Sequence, residues 1–104
     1  MITPKSALWA ARPEFEADRA NERDVANLNW ALKLQDGVET AEASLIDRGT
    51  GLSLSATIIM SAATPGGAAD AAVYAFQLAA RDGGITLGSL REVAVQPAAL
   101  DPRS

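Results

Sequence analysis

The sequence predicts an all-β protein in which two antiparallel sheets pack as a β-sandwich, and two observations support this fold class. Large apolar residues recur at every second position in several short stretches, the period of a strand whose two faces meet different surroundings. Turn-forming stretches separate them at residues 36–37, 48–51, 64–67 and 82–84. Short alternating stretches between such turns are typical of a sandwich with Greek-key or meander connections.

Length and composition indicate a single folded domain. The chain has 104 residues, of which 48% are hydrophobic and 21% charged. This balance is ordinary for a globular protein and excludes a disordered chain. We expect an N-terminal arm over residues 1–22, the β-sandwich domain over residues 23–97 and a C-terminal tail over residues 98–104.

The arm is predicted from the residues that interrupt it. Pro4 and Pro13 break the stretch, and residues 14–24, EFEADRANERD, carry too many charges for a strand in the middle of a sheet. A short helix over residues 14–23 is the alternative for the second half of the arm.

The first strand is predicted over residues 25–34, where four large apolar residues stand at every second position. These residues are Leu28, Trp30, Leu32 and Leu34. A helix is the alternative, because no Gly or Pro lies between residues 14 and 35 and because Val25, Leu28 and Leu32 would share one helical face. The strict alternation of large residues favours the strand, and we expect Trp30 to be buried between the two sheets.

A tight hairpin turn is predicted at Asp36-Gly37, and further strands follow it. The predicted strands are residues 38–47, 52–60, 72–80 and 85–95. Residues 72–80, AVYAFQLAA, are also compatible with an Ala-rich helix that stops at Gly. The spacing of Tyr74 and Phe76 at period two favours the strand there as well.

Catalytic chemistry is restricted by two absences from the sequence. The chain contains no His and no Cys, which excludes Ser-His-Asp and Cys-His nucleophiles, thiolate or imidazole metal sites and disulfides. The nearest carboxylate groups are Asp36 with Glu39, and Glu14 with Glu16 and Asp18. Neither group has the spacing of an EF-hand loop, and both fit a solvated surface. The sequence therefore predicts no catalytic, cofactor-binding or metal-ligating residue, and no enzyme activity.

Charge and hydropathy restrict the partners. The net charge is −4, and the nine basic residues are spread along the chain, so no basic cluster is available to neutralise phosphates. The longest apolar stretch, residues 56–63, is far shorter than the roughly 20 residues of a membrane-spanning helix. We expect a chain that binds neither nucleic acid nor membranes and that is made in a cytoplasm.

The stretch LNWALKLQDGVETAEASLID, residues 28–47, resembles the opening motif of the phage fiber–tail adaptor family. Positions that match the family pattern are Asn29-Trp30-Ala31, Leu34, Gly37, Glu39, Gly51-Leu52, Gly66-Gly67, Tyr74 and Asp82-Gly83. The match covers residues 25–95 and has departures: Asn29 and Ala31 replace the usual Asp and Ser, Val38 stands where an acid is expected, and Glu39 matches only with a shift of one residue.

The resemblance implies an immunoglobulin-like sandwich that serves as a non-enzymatic structural protein of a bacteriophage virion, assembled in the host cytoplasm. Its implied role is an adaptor or connector in the tail, neck or fiber-attachment region. Its implied partners are other virion structural proteins and further copies of the same chain, in a ring or a repeated array.

The interface is predicted on the arm, because aromatic side chains are common anchors of docking surfaces. The predicted interface residues are Leu8, Trp9, Arg12 and Phe15. The alternative is that Trp9 and Phe15 cover the core of their own domain.

Other functions remain open from the sequence. They are a capsid head decoration protein, a glycan-binding sandwich module and a helical phage assembly chaperone that never enters the particle. The glycan-binding module is disfavoured because the chain has few aromatics and no calcium loop. A chaperone would be helical rather than built of strands.

Overall fold

A computed structural model describes residues 7–98, which form two helices and four strands. In chain order the elements are β1 (Ala7–Glu16), α1 (Glu22–Lys33), β2 (Val38–Asp47), β3 (Leu52–Ala62), α2 (Pro65–Asp82) and β4 (Leu90–Pro97). The strands form one antiparallel sheet in the order β2-β3-β1-β4. This βαββαβ order with β1 and β3 in the centre is the split βαβ, or ferredoxin-like, topology.

The predicted antiparallel sheet is present, but the fold is mixed α/β. Both helices pack on one face of the sheet and share a single core with it. Within residues 7–98 there is one sheet, and helices stand where the second sheet of a sandwich would lie. The prediction of an all-β, immunoglobulin-like antiparallel β-sandwich is therefore wrong in its second layer.

Helix α1 occupies the stretch that was predicted as the first strand. Asn21 caps it: its side chain accepts a hydrogen bond from the Asp24 backbone N–H, and the Asp24 carboxylate accepts one from the Asn21 N–H. Leu28 and Leu32, one turn apart, are fully buried against the sheet. The cap and the four-residue spacing outweigh the alternation, so Trp30 lies outside the core and not between two sheets.

Helix α2 occupies the stretch that was predicted as the strand 72–80. Thr64 caps it: the Thr64 hydroxyl accepts a hydrogen bond from the Gly67 N–H, and Pro65 takes the first helical position. Its buried residues are Ala68, Ala72, Ala75, Phe76, Ala79 and Ala80. These small side chains let the helix lie close to the sheet, while Phe76 fills the space over β1.

Strand β1 corrects the prediction of an N-terminal arm, because residues 7–16 pair with β3 on one side and with β4 on the other. The regular pairing with β3 is interrupted between Ala11 and Glu14. Pro13 lies in that interval and has no N–H to donate, while its carbonyl oxygen accepts a hydrogen bond from the Ser55 hydroxyl at 2.9 Å. This side-chain bond satisfies the Pro13 carbonyl at the point where the pairing is interrupted.

The core lies between the inner face of the sheet and the two helices. Phe15 and Phe76 stack with ring centroids 5.0 Å apart. Leu54 and Ile58 of β3 are fully buried beside them.

The two ends of the described chain are part of this sheet. The backbone N–H of Ala98 donates to the carbonyl of Leu8 at 3.0 Å. The domain boundary predicted at residue 23 is thus replaced by one continuous unit over residues 7–98, while residues 1–6 of the predicted arm and 99–104 of the predicted tail lie outside the described residues.

Candidate functional surfaces

The predicted interface residues are divided between the two faces of β1. Successive side chains of a strand point to opposite faces, so Leu8 and Arg12 lie on the face away from the helices while Trp9 and Phe15 lie on the helix side. Phe15 is 3% exposed and belongs to the core stack. Trp9 is half-buried, and its indole N–H donates to the Ala62 carbonyl at 3.0 Å. The structure does not bring the four residues together, and Phe15 is a core residue.

The outward side of the helices carries three large exposed side chains: Trp30 is 69% exposed, Leu34 63% and Tyr74 64%. Trp30 and Leu34 are one turn apart on and just after α1, and Tyr74 lies on α2. We call these three residues the helix-layer patch. Because Leu28 and Leu32 bury the other side of α1, the fold does not require a large apolar side chain at position 30.

Two grooves run along the helix-layer patch. One, of about 360 Å³, is bordered by Trp30, Leu34 and Asp82. The other, of about 310 Å³, is bordered by Tyr74 and by Asp36. Both include Gln35 in their lining, so the two grooves adjoin.

Gln35 is held in place between the two helices. Its side-chain amide N–H groups donate to the Ala31 carbonyl at 3.2 Å and to the Asp82 carboxylate at 3.3 Å. The floor shared by the grooves is therefore polar and ordered, while the rim carries the carboxylates of Asp36 and Asp82.

The second surface is the face of the sheet away from the helices, which we call the outer sheet face. Near one end of it Glu14, whose side chain is only 5% exposed, forms two hydrogen bonds with the Arg48 guanidinium, and the bond from Nε measures 2.9 Å. Arg91 Nε lies 3.4 Å from the same carboxylate, and a second Arg91 nitrogen lies 3.5 Å from Glu16. Arg48 belongs to the β2–β3 hairpin, which therefore folds over this end of the face.

The pKa of Glu14 is lowered from its ordinary value of 4.5. The largest cause is the hydrogen bond from Arg48; burial opposes it, and the positive charge of Arg91 supports it. Glu92 stands directly opposite Glu14 on β4, where two like charges would repel. The two arginines offset that repulsion and keep Glu14 ionised.

The middle of the outer sheet face is more open. Arg12 and Glu42 are exposed there and border, together with Thr57, a groove of about 310 Å³. In the part of the chain that the structure describes, neither Arg12 nor Glu42 belongs to an ion pair.

The described residues include no cluster of three or more His, Cys, Asp or Glu side chains placed to hold a metal ion. Over the same range, no helix is long and apolar enough to cross a membrane.

Comparison of the chain with known protein families, with curated proteins and with solved structures gave no match. The two surfaces themselves therefore carry the evidence for function. The helix-layer patch does not follow from the predicted strand over residues 25–34, which places Trp30 between two sheets. The signal that could have found it is the four-residue spacing of Trp30 and Leu34, opposite Leu28 and Leu32 on a helix.

Proposed function

We propose that this chain is a non-enzymatic protein-binding domain whose helix-layer patch docks an apolar segment of a partner protein. The observation that carries the proposal is the exposure of Trp30, Leu34 and Tyr74, each about two-thirds accessible on one side of the molecule. Trp and Tyr, together with Arg, are the residue types enriched among the few interface residues that dominate binding energy. Each aromatic ring buries roughly 150–250 Å² when it is covered.

The charge around the helix-layer patch defines the chemistry of the partner. Asp36 and Asp82 stand at the two grooves, Arg81 lies 3.7 Å from Asp82 in an exposed pair, and the chain carries a net charge of −4. A segment with apolar side chains for the grooves and Lys or Arg beside them would complement this rim, whereas an acidic segment would be repelled. An amphipathic helix with a basic polar side has this chemistry.

A narrower proposal follows from the family resemblance: the partner is another structural protein of a phage virion, and the chain acts as an adaptor or connector present in repeated copies. Two of the matching turns support it, because Gly37 lies in a turn with φ of 84° and Gly51 directly precedes β3. The tryptophan and the tyrosine of the motif lie on α1 and α2 rather than on strands, and Gly66-Gly67 lies within α2. The turns at Gly37 and Gly51 are the support that is left. A head decoration role and an assembly chaperone outside the particle are the competing outcomes.

The docking proposal is tested with a defined peptide of about 18 residues, built from Leu and Lys at helical spacing, and with a matched peptide in which Glu replaces Lys. We expect the Lys peptide to bind wild-type protein at least about tenfold more tightly than the Glu peptide. The double variant Trp30→Ala/Leu34→Ala should weaken Lys-peptide binding by a further factor of about ten or more. Calorimetric titration measures both.

Leu90→Ala is the matched control, because Leu90 is an exposed apolar residue on the sheet and not on the helices. It should bind the Lys peptide as the wild type does. Equal binding of the two peptides, or equal loss in Leu90→Ala and in the double variant, contradicts the docking proposal.

The virion proposal has its own test in purified particles from a phage that encodes the chain. Mass spectrometry should find the wild-type protein in fixed stoichiometry and the Trp30→Ala/Leu34→Ala protein depleted. Hundreds of copies per particle indicate head decoration, and absence from particles indicates a chaperone.

A further inference from the structure

We propose that the outer sheet face joins two copies of this chain about a two-fold axis that lies over β3 and runs along it. Within residues 7–98 both helices lie on the inner face of the sheet, and Arg48 covers the end of the outer face at Glu14, Ser53 and Ser55. The rest of the outer face is open to a second sheet. Its central residues on β3 are Thr57 and Ile59, neither larger than isoleucine, and two sheets with small central side chains can approach to about 10 Å.

The strand register places two opposite charges symmetrically about the centre of this face. Glu42 pairs directly with Thr57 across β2 and β3. On the other side of β3, Arg12 stands opposite Thr57, because its neighbour Ala11 pairs with Ile58. With strands about 4.8 Å apart, Glu42 and Arg12 lie about 10 Å from each other with Thr57 midway.

A two-fold axis over Thr57 exchanges these positions between copies. It places Glu42 of each copy over Arg12 of the second copy, which gives two equivalent ion pairs and leaves no like charges facing each other in this row. The combined reach of an arginine and a glutamate side chain spans the gap between packed sheets. An isologous contact of this kind needs such self-complementarity.

The neighbouring rows of the outer sheet face are compatible with the same axis. One row has Thr40, Ile59 and Ala10, so Ile59 would meet its own counterpart and small residues would flank it. The row on the other side, with Ser44, Ser55 and Glu14, lies at the end that Arg48 covers, where Ser55 and Glu14 are buried within their own chain, so it lies outside the contact. The rows of Thr57 and Ile59 therefore introduce no unpaired buried charge.

The contact area between the two copies sets the expected strength of dimerisation. Overlap of β2, β3 and β1 over the six to seven residues of the open part covers about 290–340 Å² per copy, from the usual strand spacing and rise. The sum over two copies is below the roughly 1,000 Å² of a stable interface. We therefore expect a reversible dimer that forms at high protein concentration or high local concentration.

Charge reversal tests the pairing by sedimentation equilibrium from about 5 to 500 µM. Arg12→Glu places two glutamates over each other, and Glu42→Arg places two arginines over each other. Each variant should raise the dimer dissociation constant at least about tenfold. Arg23→Glu and Asp70→Arg are matched controls, since each produces the same net charge on an exposed helical position; both should dimerise as the wild type does.

Mixing the two charge-reversed variants shows whether the loss of dimerisation comes from the proposed pairing of positions 12 and 42 or from another cause. Arg12→Glu and Glu42→Arg, each monomeric alone, should form a one-to-one heterodimer, because every facing pair is then opposite in sign. The double variant should recover self-association. A wild type that stays monomeric at about 500 µM, or a mixture that behaves as the sum of its parts, overturns the proposal.

Cross-linking provides a test that does not depend on the folding of charge-reversed chains. The chain has no Cys, so Thr57→Cys places a single thiol on the proposed axis in each copy. A short bis-maleimide should link Thr57→Cys into dimers, and Thr86→Cys, on the exposed loop between α2 and β4, should remain unlinked. Equal linking of the two variants overturns the axis. This test does not involve the helix-layer patch, so its failure leaves the peptide-binding proposal unaffected.

Discussion

The two outward surfaces of this two-layer protein differ in the side chains they expose and in the bonds that those side chains form within the chain. On the helix layer, Trp30, Leu34 and Tyr74 stand exposed around a polar floor that Gln35 holds in place. On the outer sheet face, one end is closed by the Glu14–Arg48 pair and the middle offers two opposite charges about a small centre. We propose an amphipathic partner of different sequence for the helix layer, and a second copy of the chain for the outer sheet face. Both surfaces depend on the core between them.

The largest effect is expected from the core that both surfaces share. Phe76→Ala removes a fully buried ring that stacks on Phe15, and such a deletion costs about 3–5 kcal/mol of the free energy of unfolding. Urea unfolding followed by circular dichroism measures this loss. We expect peptide binding and dimerisation to weaken together, in proportion to the unfolded fraction. An unchanged unfolding midpoint would mean that α2 is not packed on the sheet.

A smaller, pH-dependent effect is expected at the closed end of the outer sheet face. Because the folded-state pKa of Glu14 is lowered below 4.5, its ionised form stabilises the fold above that value, and the stabilisation is lost as the pH falls through the folded-state pKa. Glu14→Gln should therefore lower Tm at about pH 7 and have less effect at about pH 2. Thermal unfolding at both pH values measures the difference.

Glu39→Gln is the control for this comparison, since Glu39 is exposed and belongs to no ion pair within residues 7–98. Its effect on Tm should be small at both pH values. If Glu14→Gln shifts Tm equally at neutral and acid pH, the Arg48 pair does not stabilise the fold through the charge of Glu14.

The smallest effect on stability is expected at the helix-layer patch. Trp30→Ala removes a side chain that is 69% exposed, so the free energy of unfolding should change by no more than about 0.5 kcal/mol. A buried tryptophan would instead cost about 3–5 kcal/mol. Urea unfolding separates the two values clearly. A loss in the higher range would show that Trp30 supports the fold and would remove it from the docking surface.

The sequence predicted the β2–β3 hairpin, and the structure contains it over residues 38–62. Strict alternation of Ala41 and Ala43 with polar residues and a Gly-containing turn are local signals, and the pairing they specify is also local. The antiparallel character of the sheet followed from the same signals.

The helices were missed because hydrophobic alternation was given more weight than the residues before them. Asn21 followed three residues later by Asp24 is a capping pattern, and Thr64-Pro65 is another helix start. Leu28 and Leu32 were recognised as one helical face but were outweighed by Trp30. An exposed tryptophan cannot be distinguished from a buried one by its spacing alone.

The central position of β1 in the sheet could not be predicted either, and the reason differs from that for the helices. Pro13 and the flanking charges of Glu14 and Glu16 argue against a central strand, and the features that make one possible come from distant parts of the chain. Ser55 bonds the Pro13 carbonyl, and Arg48 and Arg91 neutralise Glu14. Because residues 7–16 form a strand, the predicted interface residues lie on opposite faces of the sheet: Leu8 and Arg12 on one face, Trp9 and Phe15 on the other.

The hydrogen bond between Ala98 and Leu8 has a topological consequence. It brings the two ends of the described chain side by side, so residues 7–98 form a nearly closed ring of backbone. The two ends of such a ring can be joined and the chain opened at another point, and each element keeps its neighbours in space. The exposed loop between α2 and β4 is one such place, whereas the hairpin that carries Arg48 is not, because opening it would release the hold on Glu14.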